Sequence, residues 1–279
     1  MTIAYLNGSY LPLEQACVPA MDRGFLFSDG VYEIIPVYCG KPFRLEEHLV
    51  RLANSLKIIK LESAIDLPFW RELSQELVQR NGGGYQYIYL QITRGPAPKR
   101  DYRFPETVTP TVFAYTQPYT PPTLDSLQQG MSVVTLPDIR WDLCSVKSIS
   151  LLGSVLQRQK ATEEGADEGI LIRDGQVIEG TSCNVFIVKQ GTIFTPPKSD
   201  YMLGGITRAV VLEIAEQQKI PYREEKIPEA DLYSADEIWI TSSLREIQPV
   251  LLLNKKLVGN GKPGPVWQKM IHHYREFIA

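Results

Sequence analysis

Three prolines within eight residues, in Thr116-Gln-Pro-Tyr-Thr-Pro-Pro-Thr123, deny the chain a comfortable helix or strand at that point. Such a tract reads as an extended linker. It predicts two domains, residues 1–117 and 125–279, joined over 118–124. With 279 residues, 44% hydrophobic and 22% charged, the chain is long enough to bury one large core or two smaller ones.

Periodicity on either side of the tract switches repeatedly between strand and helix spacing, which predicts an α/β (α+β) fold. The run Gly30-Val-Tyr-Glu-Ile-Ile-Pro-Val-Tyr38 is rich in β-branched and aromatic residues and reads as a core strand. Leu45, Leu49, Leu52, Leu56 and Ile59 recur at three- and four-residue steps, predicting a helix with one apolar stripe and Arg51 off it. A second helix is expected over residues 67–80, ending at the glycine run 82–84. Strands expected near 85–93 and 109–115 flank a long charged loop, residues 94–105, whose length invites a functional reading. Beyond the tract come a strand near 132–136, a helix near 150–164, and hairpins turning at Asp174-Gly175 and Lys189-Gln-Gly191. A helix starting near Thr207, strands near 237–240 and 249–253 and a C-terminal helix complete the pattern.

Charge and composition narrow the function. A net charge of -3, with both signs mixed, leaves no basic stripe for a nucleic acid. The N-terminus shows no charged region followed by an apolar run, and no segment approaches eighteen apolar residues, so a cytoplasmic, membrane-free protein is expected. Cys17, Cys39, Cys144 and Cys183 form no CxxC pair and read as reduced thiols. His48, His272 and His273 are the only histidines, which argues against a metal site and a Ser-His-Asp hydrolase. Proton transfer, if the chain is an enzyme, falls to a lysine, a tyrosine or a carboxylate.

Several residues could carry such chemistry. Lys147, between an expected strand and helix with Val146, Ile149 and Leu151 around it, reads either as a desolvated nucleophilic amine or as an exposed lysine at a helix start. Glu179 ends a strand before Gly-Thr-Ser-Cys-Asn184 and is either a buried carboxylate able to hold a pyridine nitrogen protonated or an ordinary hairpin-edge glutamate. Met202-Leu-Gly-Gly-Ile-Thr-Arg208 opens an apolar helix with free N–H groups and a hydroxyl, suited to a phosphate or simply to an N-cap. Thr241-Ser242-Ser243 is a similar hydroxyl cluster, and Arg51 is a candidate cation for the phosphate or part of a solvated face.

Taken together and in order, Asp22-Arg-Gly-Phe-Leu-Phe-Ser-Asp-Gly-Val-Tyr-Glu33, Glu47-His-Leu-Val-Arg-Leu52, Lys147, Glu179-Gly-Thr-Ser-Cys-Asn184, Gly205-Ile-Thr-Arg208 and Thr241-Ser-Ser243 resemble the fold-type-IV pyridoxal-phosphate enzymes. That family includes D-amino-acid transaminases, branched-chain aminotransferases and aminodeoxychorismate lyases. The resemblance covers nearly the whole chain. It implies a smaller N-terminal α/β domain, a larger C-terminal domain with a β-barrel-like core, an active site between them and a homodimer in which loops of the neighbouring subunit help close the site. It further implies that Lys147 carries pyridoxal 5'-phosphate as a Schiff base and shuttles the Cα proton, while Glu179 pairs with the pyridinium nitrogen. Arg51, Ile206, Thr207, Ser242 and Ser243 match the phosphate cup, Leu203 packs on the ring and Tyr32 lines the cofactor and substrate face.

Within the family, Gly30-Val-Tyr-Glu33 and the 94–105 loop are similar to the D-amino-acid transaminase branch. There Arg100 matches the arginine of an Arg-x-His that grips the substrate carboxylate, with Tyr102 where histidine is usual and Lys99 as a second candidate. The implied reaction is ping-pong transfer from D-alanine to 2-oxoglutarate, giving pyruvate and D-glutamate. A branched-chain L-aminotransferase and an aminodeoxychorismate lyase are the alternatives.

Overall fold

The computed structural model of the protein describes residues 2–278. Contacts divide the chain into two compact units, Met1–Thr120 with Val146–Leu151, and Pro121–Ser145 with Leu152–Ala279. The excursion of Val146–Leu151 is invisible to a boundary drawn along the sequence.

In the first unit the elements are β1 (Ile3–Leu6), β2 (Ser9–Pro12), α1 (Arg23–Phe27), β3 (Gly30–Tyr38), β4 (Lys41–Pro42), α2 (Leu45–Ile58), α3 (Leu67–Arg80), β5 (Gln86–Thr93) and β6 (Thr111–Pro118). The strands form one antiparallel sheet in the order β2-β1-β6-β5-β3-β4. Alternation along β3 puts Val31, Glu33, Ile35 and Val37 on one face, all buried. Helix α2 lies against β3 and buries His48, Leu49, Leu52, Ala53, Ser55 and Leu56. The opposite face carries aromatic rings, with Tyr32 stacked on Tyr89 at 5.6 Å and Tyr89 meeting Tyr115 at 5.3 Å.

Two details depart from the sequence reading. Strands β1 and β2 form a hairpin at Asn7-Gly8, both at positive φ, that the periodicity did not single out. Strand β6 also runs into the proline tract as far as Pro118, which pairs with Gln86. Strand β1 pairs with β6 no further than Tyr115, so the missing N–H of Pro118 interrupts no ladder on that side.

The second unit holds α4 (Leu124–Gln128), β7 (Met131–Pro137), α5 (Leu152–Glu163), β8 (Glu168–Arg173), β9 (Gln176–Gly180), β10 (Asn184–Lys189), β11 (Thr192–Thr195), α6 (Ile206–Gln217), β12 (Tyr222–Glu224), β13 (Ile227–Pro228), α7 (Glu229–Leu232), β14 (Glu237–Ser242), β15 (Glu246–Leu253), β16 (Lys256–Leu257) and α8 (Pro265–Ile278). Its ten strands follow the order β12-β11-β10-β14-β15-β7-β8-β9-β13, with β16 on β15. Strands β9 and β10 are joined by a short turn, yet β14, β15, β7 and β8 stand between them in the sheet. Such a sheet has to curl back on itself, and Val133, Ile170, Val177, Val185, Ile187, Ile238, Ile240 and Val250 form a core cluster within it. The Asp174-Gly175 and Gln190-Gly191 turns both take the paired positive φ of tight hairpins.

Candidate active site

Lys147 is positioned by β3. The backbone N–H of Tyr32 donates to the Lys147 carbonyl (3.0 Å), that of Ile149 donates to the Gly30 carbonyl (3.1 Å), and Val31 bridges to Ser148. Gly30 is required for this approach, because a Cβ there would lie 2.7 Å from Ile92 O and 3.1 Å from Ile149 Cδ1. The Lys147 N–H donates to Ser55 Oγ on α2 (3.2 Å), and its Nζ stands 4.3 Å from the centre of the Tyr32 ring. Among the described residues no carboxylate pairs with Lys147. Val146 is buried beside it, whereas Leu151, expected as an apolar neighbour, is exposed because the chain leaves the strand edge before α5 begins.

Arg51 is not on a solvated face. Its Nε and Nη2 donate to the two oxygens of Glu33, each at 2.7 Å, while His48 Nδ1 lies 2.7 Å from Glu33 Oε2. The three-residue step from His48 to Arg51 puts both side chains over the same buried carboxylate. Burial alone would raise the Glu33 carboxyl, but Arg51 and His48 hold it down at about 2. Burial pushes His48 below its ordinary value, and the charges of Arg51 and Lys147 add to that push against the opposing pull of Glu33. Since an ionised Glu33 can only accept, His48 Nδ1 carries the proton, and Nε2 is left buried without a partner.

In the second unit Glu179 ends β9 as a buried side chain. Its Oε1 accepts from Arg140 Nη1 at 2.6 Å, and its Oε2 accepts from Asn184 Nδ2 and the Leu203 N–H, both at 3.2 Å. Asn184 Nδ2 also donates to the Leu203 carbonyl (2.9 Å), so one side chain clips the Glu179–Asn184 turn to the Met202–Thr207 segment. Burial pushes Glu179 up to about 7 even though Arg140 pulls the other way.

The other expected residues of this unit gather around the same clip. Ile206 and Thr207 open α6, whose N-cap Gly205 supplies no side-chain cap, and Thr241 of β14 pairs in register with Asn184. Ser242 Oγ accepts from the Arg245 N–H at 3.3 Å, with Ser243 next in the chain. Beneath them the buried Glu168 takes Arg245 Nη1 at 2.7 Å and the Thr181 hydroxyl, tying the two turns together. Arg140, Asn184, Glu168, Glu33 and His48 were not singled out from the sequence. Asn184, Glu33 and His48 stand inside motifs read there, while Arg140 follows Asp138 in a stretch with no local signal.

Arg100 and Tyr102 form a group of their own in the first unit, around Phe27. The Arg100 guanidinium lies 4.9 Å from the Phe27 ring centre and 5.4 Å from that of Tyr102. Lys99 is drawn to Asp101 (3.7 Å), which also pairs with Arg103 at 2.8 Å. Arg94, at the loop's start, is engaged by Asp29.

These donors suit a phosphorylated pyridine aldehyde. An ionised carboxylate offers about four acceptor positions, and Glu179 uses three, leaving one for a ring N–H. The buried Thr241 hydroxyl has no hydrogen-bond partner, and the uncapped start of α6 presents backbone amides where an anion is favoured. The buried thiols do not compete as nucleophiles, since burial pushes Cys144 up to about 11 and Cys183 well above its ordinary value.

Residues 30–253 match the family described as amino-transferase class IV. A D-alanine aminotransferase of Bacillus licheniformis is 41% identical over 263 residues, covering 93% of this chain and 91% of that protein. The branched-chain amino acid aminotransferase of Escherichia coli superposes with a TM-score of 0.94 at 27% identity, over 99% of this chain and 94% of that one. A T.th. branched-chain amino acid aminotransferase, solved with pyridoxamine 5'-phosphate, has a TM-score of 0.91 at 26% identity, over 99% and 93% of the two chains.

Proposed function

This chain belongs to the amino-transferase class IV family, and from that premise we propose that it transfers the amino group of D-alanine and related D-amino acids to 2-oxoglutarate, giving pyruvate and D-glutamate. It is an aminotransferase with the mixed α/β architecture of its solved relatives. The observation that carries the reading is Glu179, a buried carboxylate with an acceptor position to spare in a chain that shares nearly its full length with D-alanine aminotransferases.

Pyridoxal 5'-phosphate, when bound, supplies the carbonyl carbon that takes the amino group and a ring that accepts the electron pair left at Cα. Lys147 is the residue that would hold the group, through its Nζ. Its amine would also serve as the base that takes up and gives back the proton of the substrate Cα. Glu179, whose ionised form Arg140 favours against the burial that raises its pKa, would pair with the ring N–H and so favour the positively charged ring. Arg51, the amides of Ile206 and Thr207 and the hydroxyls of Thr207, Ser242 and Ser243 would hold the phosphate. Leu203 would pack on the ring, and Tyr32 would line the substrate side.

Arg100 is the anchor for the substrate carboxylate, because Lys99 is already engaged by Asp101. The two half-reactions follow one another in ping-pong order. The chain works as a homodimer in the reducing cytoplasm, a reading supported by the exposed apolar stripe on α5 and by cysteines that are all free.

The purified yellow protein is mixed with D-alanine, then separately with L-leucine, without oxo acid, and the absorbance of the bound cofactor is followed. D-Alanine alone is expected to bleach it. Bleaching by L-leucine alone supports the branched-chain reading, and no change with either removes transamination of both.

A further inference from the structure

The loop that carries Arg100 is mounted before any substrate arrives. Arg23 Nη1 donates to the carbonyls of Asp101 (2.6 Å) and Arg103 (3.3 Å), and its Nη2 donates to that of Tyr102 (3.4 Å). Arg23 and Arg94 are both buried, and each donates its Nε to Asp29 Oδ2 at 2.8 Å. Arg94 also holds the carbonyls of Ile59 (2.7 Å) and Lys60 (3.0 Å), while the Phe104 ring covers its guanidinium at 3.7 Å. Two arginines sharing one carboxylate therefore pin the loop, Arg94 at its start and Arg23 at the carbonyls just after Arg100.

On that mount the Arg100 side chain takes no hydrogen bond or ion pair among the described residues. Its contacts are the rings of Phe27 and Tyr102, which themselves meet at 5.3 Å with a 46° tilt. A guanidinium is weakly hydrated on its faces and stacks there, while its N–H edge stays available for two parallel bonds to a carboxylate. The Tyr102 hydroxyl has no partner among the described residues, and the residue is 76% exposed. The contact its side chain makes is through the ring.

We propose that Phe27 and Tyr102 form an aromatic seat that aims the N–H edge of Arg100 at the substrate carboxylate, with Tyr102 acting through its ring and not through its hydroxyl. The proposal rests on the reading of Arg100 as the carboxylate anchor. Tyr102 is thus a positioning residue. It lowers the cost of ordering a long, flexible side chain each time an amino acid or an oxo acid binds. Both substrates of the ping-pong cycle carry that carboxylate, so both should feel its loss equally.

The test compares Tyr102→Leu, Tyr102→Phe and Arg100→Ala in the cofactor-loaded enzyme, by KM and kcat for D-alanine and 2-oxoglutarate and by calorimetric binding of glutarate, a non-reacting dicarboxylate. Tyr102→Leu is expected to raise both KM values and the glutarate Kd about two- to fivefold, the size of one exposed cation–π contact, with the loss falling on KM and not on kcat. Tyr102→Phe, which keeps the ring, is expected to restore all three constants. A Tyr102→Phe enzyme as weak as Tyr102→Leu makes the hydroxyl the working group and overturns the proposal, as does Tyr102→Leu binding glutarate like the parent. Arg100→Ala separates the two ideas: a rise of about tenfold or more in all three constants upholds the anchor. No rise defeats the anchor reading itself, whatever Tyr102 does.

Discussion

Buried carboxylates in this protein are held in opposite protonation preferences, and each sets its own pH window. Glu33, bonded by Arg51 and His48, sits at about 2 against an ordinary 4.5, so its contribution to folding is present above 4.5 and is lost as pH falls through about 2. Glu246 is the reverse case. It is fully buried and forms an ion pair with Arg275 (Nη2 to Oε2, 2.8 Å), and neither oxygen accepts a hydrogen bond. Burial raises it to about 7 despite Arg275, so the folded chain binds that proton more tightly than the unfolded one. Its stabilisation is complete below 4.5 and disappears as pH rises through about 7. Glu179 acts in the same direction before cofactor binds. The urea midpoint of the cofactor-free protein is therefore expected to be lower at about pH 8 than at about pH 5, and Glu246→Gln should narrow that difference. An equal difference in the variant would remove Glu246 as a cause.

At the scale of elements, the start of α6 depends on a contact that admits no side chain. A Cβ on Gly205 would stand 2.0 Å from Asn184 Oδ1, the side chain that clips Leu203 and Glu179 together. Gly205→Ala has to push Asn184 off one or both partners. The variant is expected to lose about 1–3 kcal/mol, the cost of leaving a buried polar group unsatisfied, and to release cofactor more readily on dialysis. Gly204→Ala, whose Cβ meets nothing nearer than Lys198 Cε at 3.9 Å, should cost much less. Denaturation curves of the two variants side by side make the comparison. Near-equal losses would place the sensitivity in the glycine run and not in Asn184.

For the whole molecule the informative element is α5, which buries only Gln157 and Ala161 of its twelve residues. Leu152, Val155 and Leu156 follow one another at helical spacing and are 70%, 57% and 53% exposed. An apolar stripe left facing water asks for a covering partner, and a second copy of the chain can provide the same stripe across a two-fold axis. Leu156→Glu puts a charge into that stripe. Light scattering after size exclusion is expected to give a dimer for the parent and a monomer for the variant, and a parent that runs as a monomer would rule the homodimer out.

Much of the local structure was legible because it rests on local rules. The spans of β3 and α3 and the Asp174-Gly175 turn follow from alternation, helical spacing and positive-φ chemistry within a few residues of each position. Motif order identified the family on the same basis, since each motif is a short run that survives in one dimension. Tertiary structure alone decided what depends on distant pairing. Val146–Leu151 leaves its neighbours in sequence to run along β3, Arg140 becomes the partner of Glu179 from 39 residues away, and Asp29 joins Arg94 from 65 residues away to mount the Arg100 loop. Ionic and backbone pairings of this kind carry no periodicity. They are chosen when the sheets close and bury the charges, which then must find partners to replace the solvation they have lost.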